Sequence, residues 1–281
     1  MMNSYTNIHD ALGNEYLRRI ISDTVEASND LGIDFFGVGA LARNIWYVEN
    51  DKPPRGTKDI DFGVYVNTED VYLKLKSILI QEYKYIQSEG NAFCLISPDG
   101  IPVDFLPFGE IENQNKVLID GKGLTTIKLD GFEEVYRKGI RKVDLGEGQV
   151  INICTVPSIV LLKLIAFDDR PAYRSKDPLD ISSIVNDFPH IESDLLWEEY
   201  SYLYDRDIAH EEIGVIVLGN EVGKLVCENK DLLNRVLRIV QDGLMLKSRL
   251  AERMIIDSEN ETISQKQHLL RLFKEGVENQ C

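Results

Sequence analysis

Three aspartates carry the chemistry that this sequence could perform. Asp59 and Asp61 stand one residue apart in Lys58-Asp59-Ile60-Asp61-Phe62-Gly63-Val64-Tyr65-Val66, and Asp104 follows in Ile101-Pro102-Val103-Asp104-Phe105-Leu106-Pro107. In both stretches the acids alternate with apolar residues, which is the period-two signature of a half-buried strand. Residues i and i+2 of a strand share a face, so Asp59 and Asp61 point together away from the core. Asp104 takes the outer face of its own strand. Like charges held that close repel unless a cation lies between them. A hard divalent ion such as Mg²⁺ (or Mn²⁺) accepts carboxylate oxygens and keeps positions for water and phosphate. Three carboxylates on one sheet face can hold two such ions about 3.5–4 Å apart, which suits in-line displacement at phosphorus. For the D-x-D alone, a solvated strand face is the plain alternative.

Two further constellations could serve a phosphate. The turn Gly37-Val38-Gly39-Ala40 lies between a strand pattern at 33–38 and a helix pattern at 40–47. Its glycines allow positive φ or a close backbone approach, and the start of the helix presents N–H groups to an anion. The second centres on Lys163, embedded in the apolar run Ile159-Val160-Leu161-Leu162-Lys163-Leu164-Ile165-Ala166. A lysine there must snorkel or meet an anion, and a triphosphate would serve. Arg170, Arg174, Lys176, Asp177 and Asp180 follow. Asp177-Pro178-Leu179-Asp180 reads as a helix start, with Asp177 as N-cap, Pro178 in the first turn and Asp180 at the capping-box position. Lys176 is left to contact phosphate or a catalytic carboxylate.

The elements that must position these residues change character along the chain. The pattern predicts a helix at 10–29, the strand at 33–38, the helix at 40–47 and a polar loop at 49–57. The aspartate strand and a helix at 71–81 follow. Strands at 92–96 and 101–105 are joined by the turn Ser97-Pro98-Asp99-Gly100. That hairpin brings the Asp104 strand within reach of the Asp59/Asp61 strand and makes the sheet partly antiparallel. Helical spacing then dominates at 157–167, 178–186, 194–204, 207–226, 232–254 and 264–277. The expected fold is α+β: a mixed sheet with flanking helices over 1–150, followed by a helical domain over 151–281.

Composition narrows the class. The chain has 281 residues, 43% hydrophobic and 28% charged, as expected of a globular protein with a real core. No apolar run is long enough to cross a bilayer, and the first residues lack a signal-peptide pattern. The four cysteines are scattered, with no C-x-x-C, so a zinc site is not expected and reduced thiols in a cytoplasm are. The net charge of −16 divides evenly between residues 1–150 and 151–281, which argues against non-specific nucleic-acid binding. Arg137-Lys138-Gly139-Ile140-Arg141-Lys142 is the one candidate basic track, or simply a solvated face.

In this order, the glycine turn, the D-x-D strand and the third acid on a later strand resemble the DNA polymerase β-type nucleotidyltransferase superfamily. More narrowly, the chain is similar to the AbiEii/AbiGii-type nucleotidyltransferases, toxins of bacterial toxin–antitoxin and phage-abortive systems. The matching text is Gly37-Val38-Gly39-Ala40-Leu41-Ala42-Arg43, Arg55-Gly56-Thr57-Lys58-Asp59-Ile60-Asp61-Phe62 and Ile101-Pro102-Val103-Asp104. Gly131-Phe132-Glu133-Glu134, the Val156–Ala166 run and Arg174-Ser175-Lys176-Asp177-Pro178-Leu179-Asp180 also match, over about residues 30 to 187. The resemblance implies metal-dependent transfer of a nucleoside monophosphate from an NTP to a hydroxyl, with release of pyrophosphate. It implies Asp59, Asp61 and Asp104 as metal ligands and catalytic acids. Gly37, Gly39, Ala40, Thr57, Lys163, Lys176 and Asp177 would contact the nucleotide, the helical domain completing its site. It also implies a tRNA or other acceptor and an antitoxin protein as partners. Where the family has Gly-Ser or Gly-Gly, this chain has Gly39-Ala40. Two other readings stay open: a catalytically weak or inactive nucleotide-binding protein on the same fold, and a glycosyltransferase using D-x-D.

Overall fold

The alternation around Asp61 is realised as a strand, β2 (Ile60–Tyr65), which buries Ile60, Phe62 and Val64 and leaves Asp61 half-exposed. The structure is a computed structural model describing residues 8, 12, 15–114, 116–146 and 148–281. By contacts the chain divides into two units, Met1–Thr155 and Val156–Cys281.

In the first unit, α1 (Glu15–Leu31) precedes β1 (Asp34–Gly37), α2 (Gly39–Glu49) and β2, and α3 (Glu69–Gln81) follows. Of the predicted helix at 10–29, Leu12 and the residues from Glu15 on are helical; 10, 11, 13 and 14 lie outside the described residues. Thr68 caps α3 by accepting the Val71 N–H, which starts that helix at residue 69. Next come β3 (Ile86–Gln87), β4 (Cys94–Ile96) and β5 (Pro102–Phe108), a small hairpin β6 (Val117–Leu118) and β7 (Thr126–Ile127), then α4 (Phe132–Lys138), β8 (Ile140–Asp144) and β9 (Val150–Cys154).

Seven strands form one mixed sheet in the order β3-β4-β5-β2-β1-β9-β8. The turn at 97–100 closes the β4–β5 hairpin as predicted, and β5 lies parallel beside β2. One face of these strands carries Asp61 and Asp104 at the start of β2 and β5. At their far end it carries Tyr65 and Phe108, which with Phe36 meet Phe132 and Tyr136 of α4. Aromatic packing therefore roofs one end of the face and leaves the acidic end to other partners.

The β8–β9 hairpin is not predicted from the sequence. It absorbs the candidate basic track: the Arg141 guanidinium lies 3.8 Å from the Trp46 ring centre and pairs with Glu49, while Arg137 pairs with Glu133. These charges are compensated on a strand edge and a short helix.

The second unit is helical. It runs α5 (Val156–Asp169), α6 (Asp177–Ile191), α7 (Ser193–Glu199), a 3₁₀ turn (Ser201–Asp205), α8 (His210–Val226), α9 (Lys230–Gly243), α10 (Arg249–Arg253) and α11 (Ile263–Asn279). α5 is buried along almost its whole length and packs on α6, α8 and α9. Two predicted helices are broken. The one at 194–204 changes to 3₁₀ geometry after Glu199. The one at 232–254 stops at Gly243 and restarts where Ser248 accepts the Ala251 N–H. The architecture is the predicted mixed sheet with flanking helices, followed by helices. Among the described residues no helix is long and apolar enough to cross a membrane.

Candidate functional site

The parallel register of β2 and β5 sets Asp61 directly opposite Asp104. Neighbouring strands lie ~4.8 Å apart, whereas residues i and i+2 along one strand are separated by roughly 6.6 Å. The register therefore sets one acidic pair across strands, beside the D-x-D within one segment. Asp59, just before β2, is exposed, and Thr57 Oγ1 donates to its carbonyl at 2.8 Å and to its Oδ1 at 3.2 Å. Asp61 and Asp104 are brought together, and Asp59 stands one residue pair further out. Among the described residues no three His, Cys, Asp or Glu side chains are gathered around one point. The chemistry of the Asp61–Asp104 pair, two hard oxygen donors side by side and half-exposed, fits a divalent ion.

The glycine turn abuts this pair. The Val38 N–H donates to the Asp61 carbonyl at 3.0 Å, and Gly39 sits at φ +56°. A Cβ on Gly39 would come within 3.1 Å of Asp61 Oδ2, so both the left-handed backbone and the space require glycine. α2 begins here with no side-chain cap, so Gly37, Gly39 and Ala40 bring the start of an uncapped helix up to the Asp61 carboxylate.

Two residues not singled out from the sequence touch Asp104. Asn91 Nδ2 donates to Asp104 Oδ1 at 3.1 Å, and Cys94 is paired with Asp104 across β4–β5, its thiol donating to the Leu95 carbonyl at 3.6 Å. Burial, then the neighbouring Asp104 carboxylate, push the Cys94 thiol up to about 12, so it stays protonated. Cys94 could be found by counting outward from the 97–100 turn; Asn91 lies beyond the strand and carries no such signal.

A cavity of about 230 Å³ lies behind the loop before β2, lined by Tyr16, Leu41, Asn44, Pro54, Arg55 and Thr57 among others. Asn44 holds the loop from both ends of its amide, donating to the Arg55 carbonyl at 2.7 Å and accepting the Arg55 N–H at 3.2 Å. None of the three aspartates lines this cavity.

In the second unit, Lys163 Nζ donates to Asp177 Oδ1 at 2.9 Å and to Asp180 Oδ2 at 2.7 Å, with all three side chains largely buried. This corrects the capping expectation. Asp177 is the first residue of α6, the N-cap position is Lys176, and no side chain caps the helix. Asp177 turns instead to the lysine, because a largely buried ammonium on an apolar helix needs a counter-charge more than this helix start needs a cap. Asp177 Oδ2 is buried without a hydrogen-bond partner, while Lys176 is exposed.

No protein-family profile matches this chain, and no curated protein does. Similar solved structures include the antibiotic-resistance factor ANT(2'')-Ia, at 13% identity over 66% of this chain and 88% of that one, TM-score 0.37. An antigenic nucleotidyltransferase-like protein from Paracoccidioides brasiliensis is 15% identical over 65% of this chain and 88% of its own, TM-score 0.37. The Thermotoga maritima CCA-adding enzyme, solved with tRNA, is 12% identical over 95% of this chain and 65% of its own, TM-score 0.35. At these values they are likenesses alone, and what the site can do is read from its own residues.

Proposed function

We propose that this chain is a nucleotidyltransferase that moves a nucleoside monophosphate from an NTP to a hydroxyl and releases pyrophosphate. The observation that carries the reading is the Asp61–Asp104 pair, set side by side against the uncapped, glycine-started helix α2. Asp61 and Asp104, with Asp59 beside them, would hold Mg²⁺ or Mn²⁺, which when bound supplies charge compensation for the triphosphate and acidity for the hydroxyl. The N–H groups of Gly39 and Ala40 receive triphosphate oxygens. Thr57 fixes Asp59 at the mouth of the strand. The acceptor oxygen bonds to the α-phosphorus, the bond to the bridging oxygen breaks, pyrophosphate leaves with that electron pair, and Asp104 takes the hydroxyl proton. For Lys163, Lys176 and Asp177 a phosphate contact rests on the resemblance alone, and Lys163 already bonds Asp177 and Asp180.

The acceptor is an RNA end such as tRNA, a protein side chain or a small molecule. The charge of −16 favours the latter two. A toxin role with an antitoxin partner rests on the AbiEii-type resemblance. A second reading, a weak or inactive nucleotide binder, is favoured by one observation: Ala40 offers no hydroxyl where the resembled family has Gly-Ser or Gly-Gly.

The test incubates the purified chain with Mg²⁺, labelled NTPs and fractions of a cell extract. One acceptor class becomes labelled, and Asp61→Ala abolishes labelling with an unchanged circular dichroism spectrum. The enzyme reading fails if both proteins bind NTP equally and neither releases pyrophosphate. Preference for UDP-sugars would move the chain to the glycosyltransferases.

A further inference from the structure

An asparagine that only closes a turn needs its side-chain oxygen; Asn91 uses both ends of its amide. Its Oδ1 accepts the Phe93 N–H at 3.0 Å, which assigns the amide orientation and aims Nδ2 at Asp104 Oδ1, 3.1 Å away. The loop beneath it is tied down from four sides. The Asn91 carbonyl accepts the Cys94 N–H and Gln87 Nε2, both at 3.1 Å. The Ala92 N–H donates to the Leu124 carbonyl at 2.9 Å, and the Leu124 N–H returns to the Gly90 carbonyl at 3.0 Å. Lys76 Nζ donates to the Ala92 carbonyl at 2.6 Å. Gly123, at φ +74°, lets the two backbones meet so closely that a Cβ would fall 2.1 Å from the Gly90 oxygen. So much fixation for a short loop places one donor, and that donor faces a carboxylate.

We propose that Asn91 is a positioning residue for Asp104: by donating to Oδ1 it fixes the carboxylate's rotamer beside Asp61 and so sets the geometry in which the pair receives a divalent cation. This rests on the reading of Asp61 and Asp104 as cation ligands. A hydrogen bond to an ionised acceptor is about twice as strong as a neutral one, enough to select one rotamer of a half-exposed strand aspartate. Groups that hold a metal ligand from behind typically change affinity about 10–100-fold when removed.

The test is a double-mutant cycle on Mn²⁺ binding, measured by calorimetry on the full chain. Asn91→Ala is expected to weaken binding about tenfold and Asp104→Asn to weaken it more. The double variant should bind no more weakly than Asp104→Asn alone, because Asn91 acts through Asp104. Wild-type affinity in Asn91→Ala, or a full additional loss in the double variant, would overturn the proposal. If Asn91→Ala misfolds, Asn91→Ser replaces it: the hydroxyl still accepts the Phe93 N–H but falls short of Asp104, and the tenfold loss is expected again. If wild type and Asp61→Ala bind Mn²⁺ equally, the cation-ligand reading itself fails and the positioning role falls with it. Loss in Asp61→Ala without loss in Asn91→Ala or Asn91→Ser sinks the positioning role alone.

Discussion

The two units hold their charged clusters in opposite ways. In the first, register alone sets Asp61 beside Asp104, half-exposed, with a helix start and an amide arranged around them. In the second, Lys163 is enclosed by Asp177 and Asp180, with the compensating charges already inside the cluster. The first arrangement brings like charges together at the surface, which folding alone would not favour. The second is an ion triad whose members support one another. The contrast teaches where to look for each effect: substitutions at the sheet should change chemistry and spare stability, and those in the triad should do the reverse.

The largest expected effect would break the comparison if it failed. Asp61→Ala should lower pyrophosphate release by about 10³-fold, judged from the loss of transition-state charge stabilisation at comparable sites, with the melting temperature unchanged or raised. Next, Lys163→Met should cost about 3 kcal/mol in urea unfolding, because two largely buried carboxylates lose their cation. Replacing Asp177 and Asp180 as well, by Asn and Leu, should recover most of that loss. A Lys163→Met protein of wild-type stability would show that the triad is not the structural element inferred here. Lys176→Ala, at an exposed position of the same unit, should leave stability in urea unfolding within about 0.5 kcal/mol. Third, Gly39→Ala forces a β-carbon onto a left-handed residue and to 3.1 Å from Asp61 Oδ2. A loss of about 1–2 kcal/mol is expected, together with reduced transfer, since here alone backbone and carboxylate share a position.

What was legible in the sequence follows from the range of the forces involved. Alternation along a strand is local, so Asp59, Asp61 and Asp104 and their faces could be read directly, as could the 97–100 turn that pairs Cys94 with Asp104. That Asp61 faces Asp104 depends on a parallel pairing between residues 43 apart, Asp61 with Asp104, which no local pattern encodes. Asn91 is hidden for the same reason: its partner is fixed by the sheet and by a bridge to Leu124. Asp177 does not cap its helix because the local rule for helix starts loses to a lysine on another helix. The run Arg137–Lys142 reads equally as a basic track or a solvated face, because the acids that pair with it, Glu133 and Glu49, lie outside the run.

The smallest expected effect sharpens the comparison most, because it asks the same substitution of two lysines. Lys76, in the first unit, is buried like Lys163, and its ammonium donates to the Ala92 carbonyl. Burial lowers it to about 8, the nearby Cys94 acting slightly the other way. An unfolded lysine titrates near ~10.4. Between those values the unfolded chain holds a proton that the folded chain has released, so folded stability rises with pH across that window. Below pH 8 both states are charged and the full burial cost opposes folding. Lys76→Met removes that cost and the hydrogen bond together, so stability at pH 7 should stay within about 1 kcal/mol of wild type, or ~2–4 °C in melting temperature. As pH rises from 8 to 10, wild type should gain on the variant. Melting curves of both proteins at pH 7 and pH 10 decide it. A Lys76→Met that loses as much as Lys163→Met, or a difference between variant and wild type that does not move with pH, would mean that the first unit also carries its lysine as a paired charge.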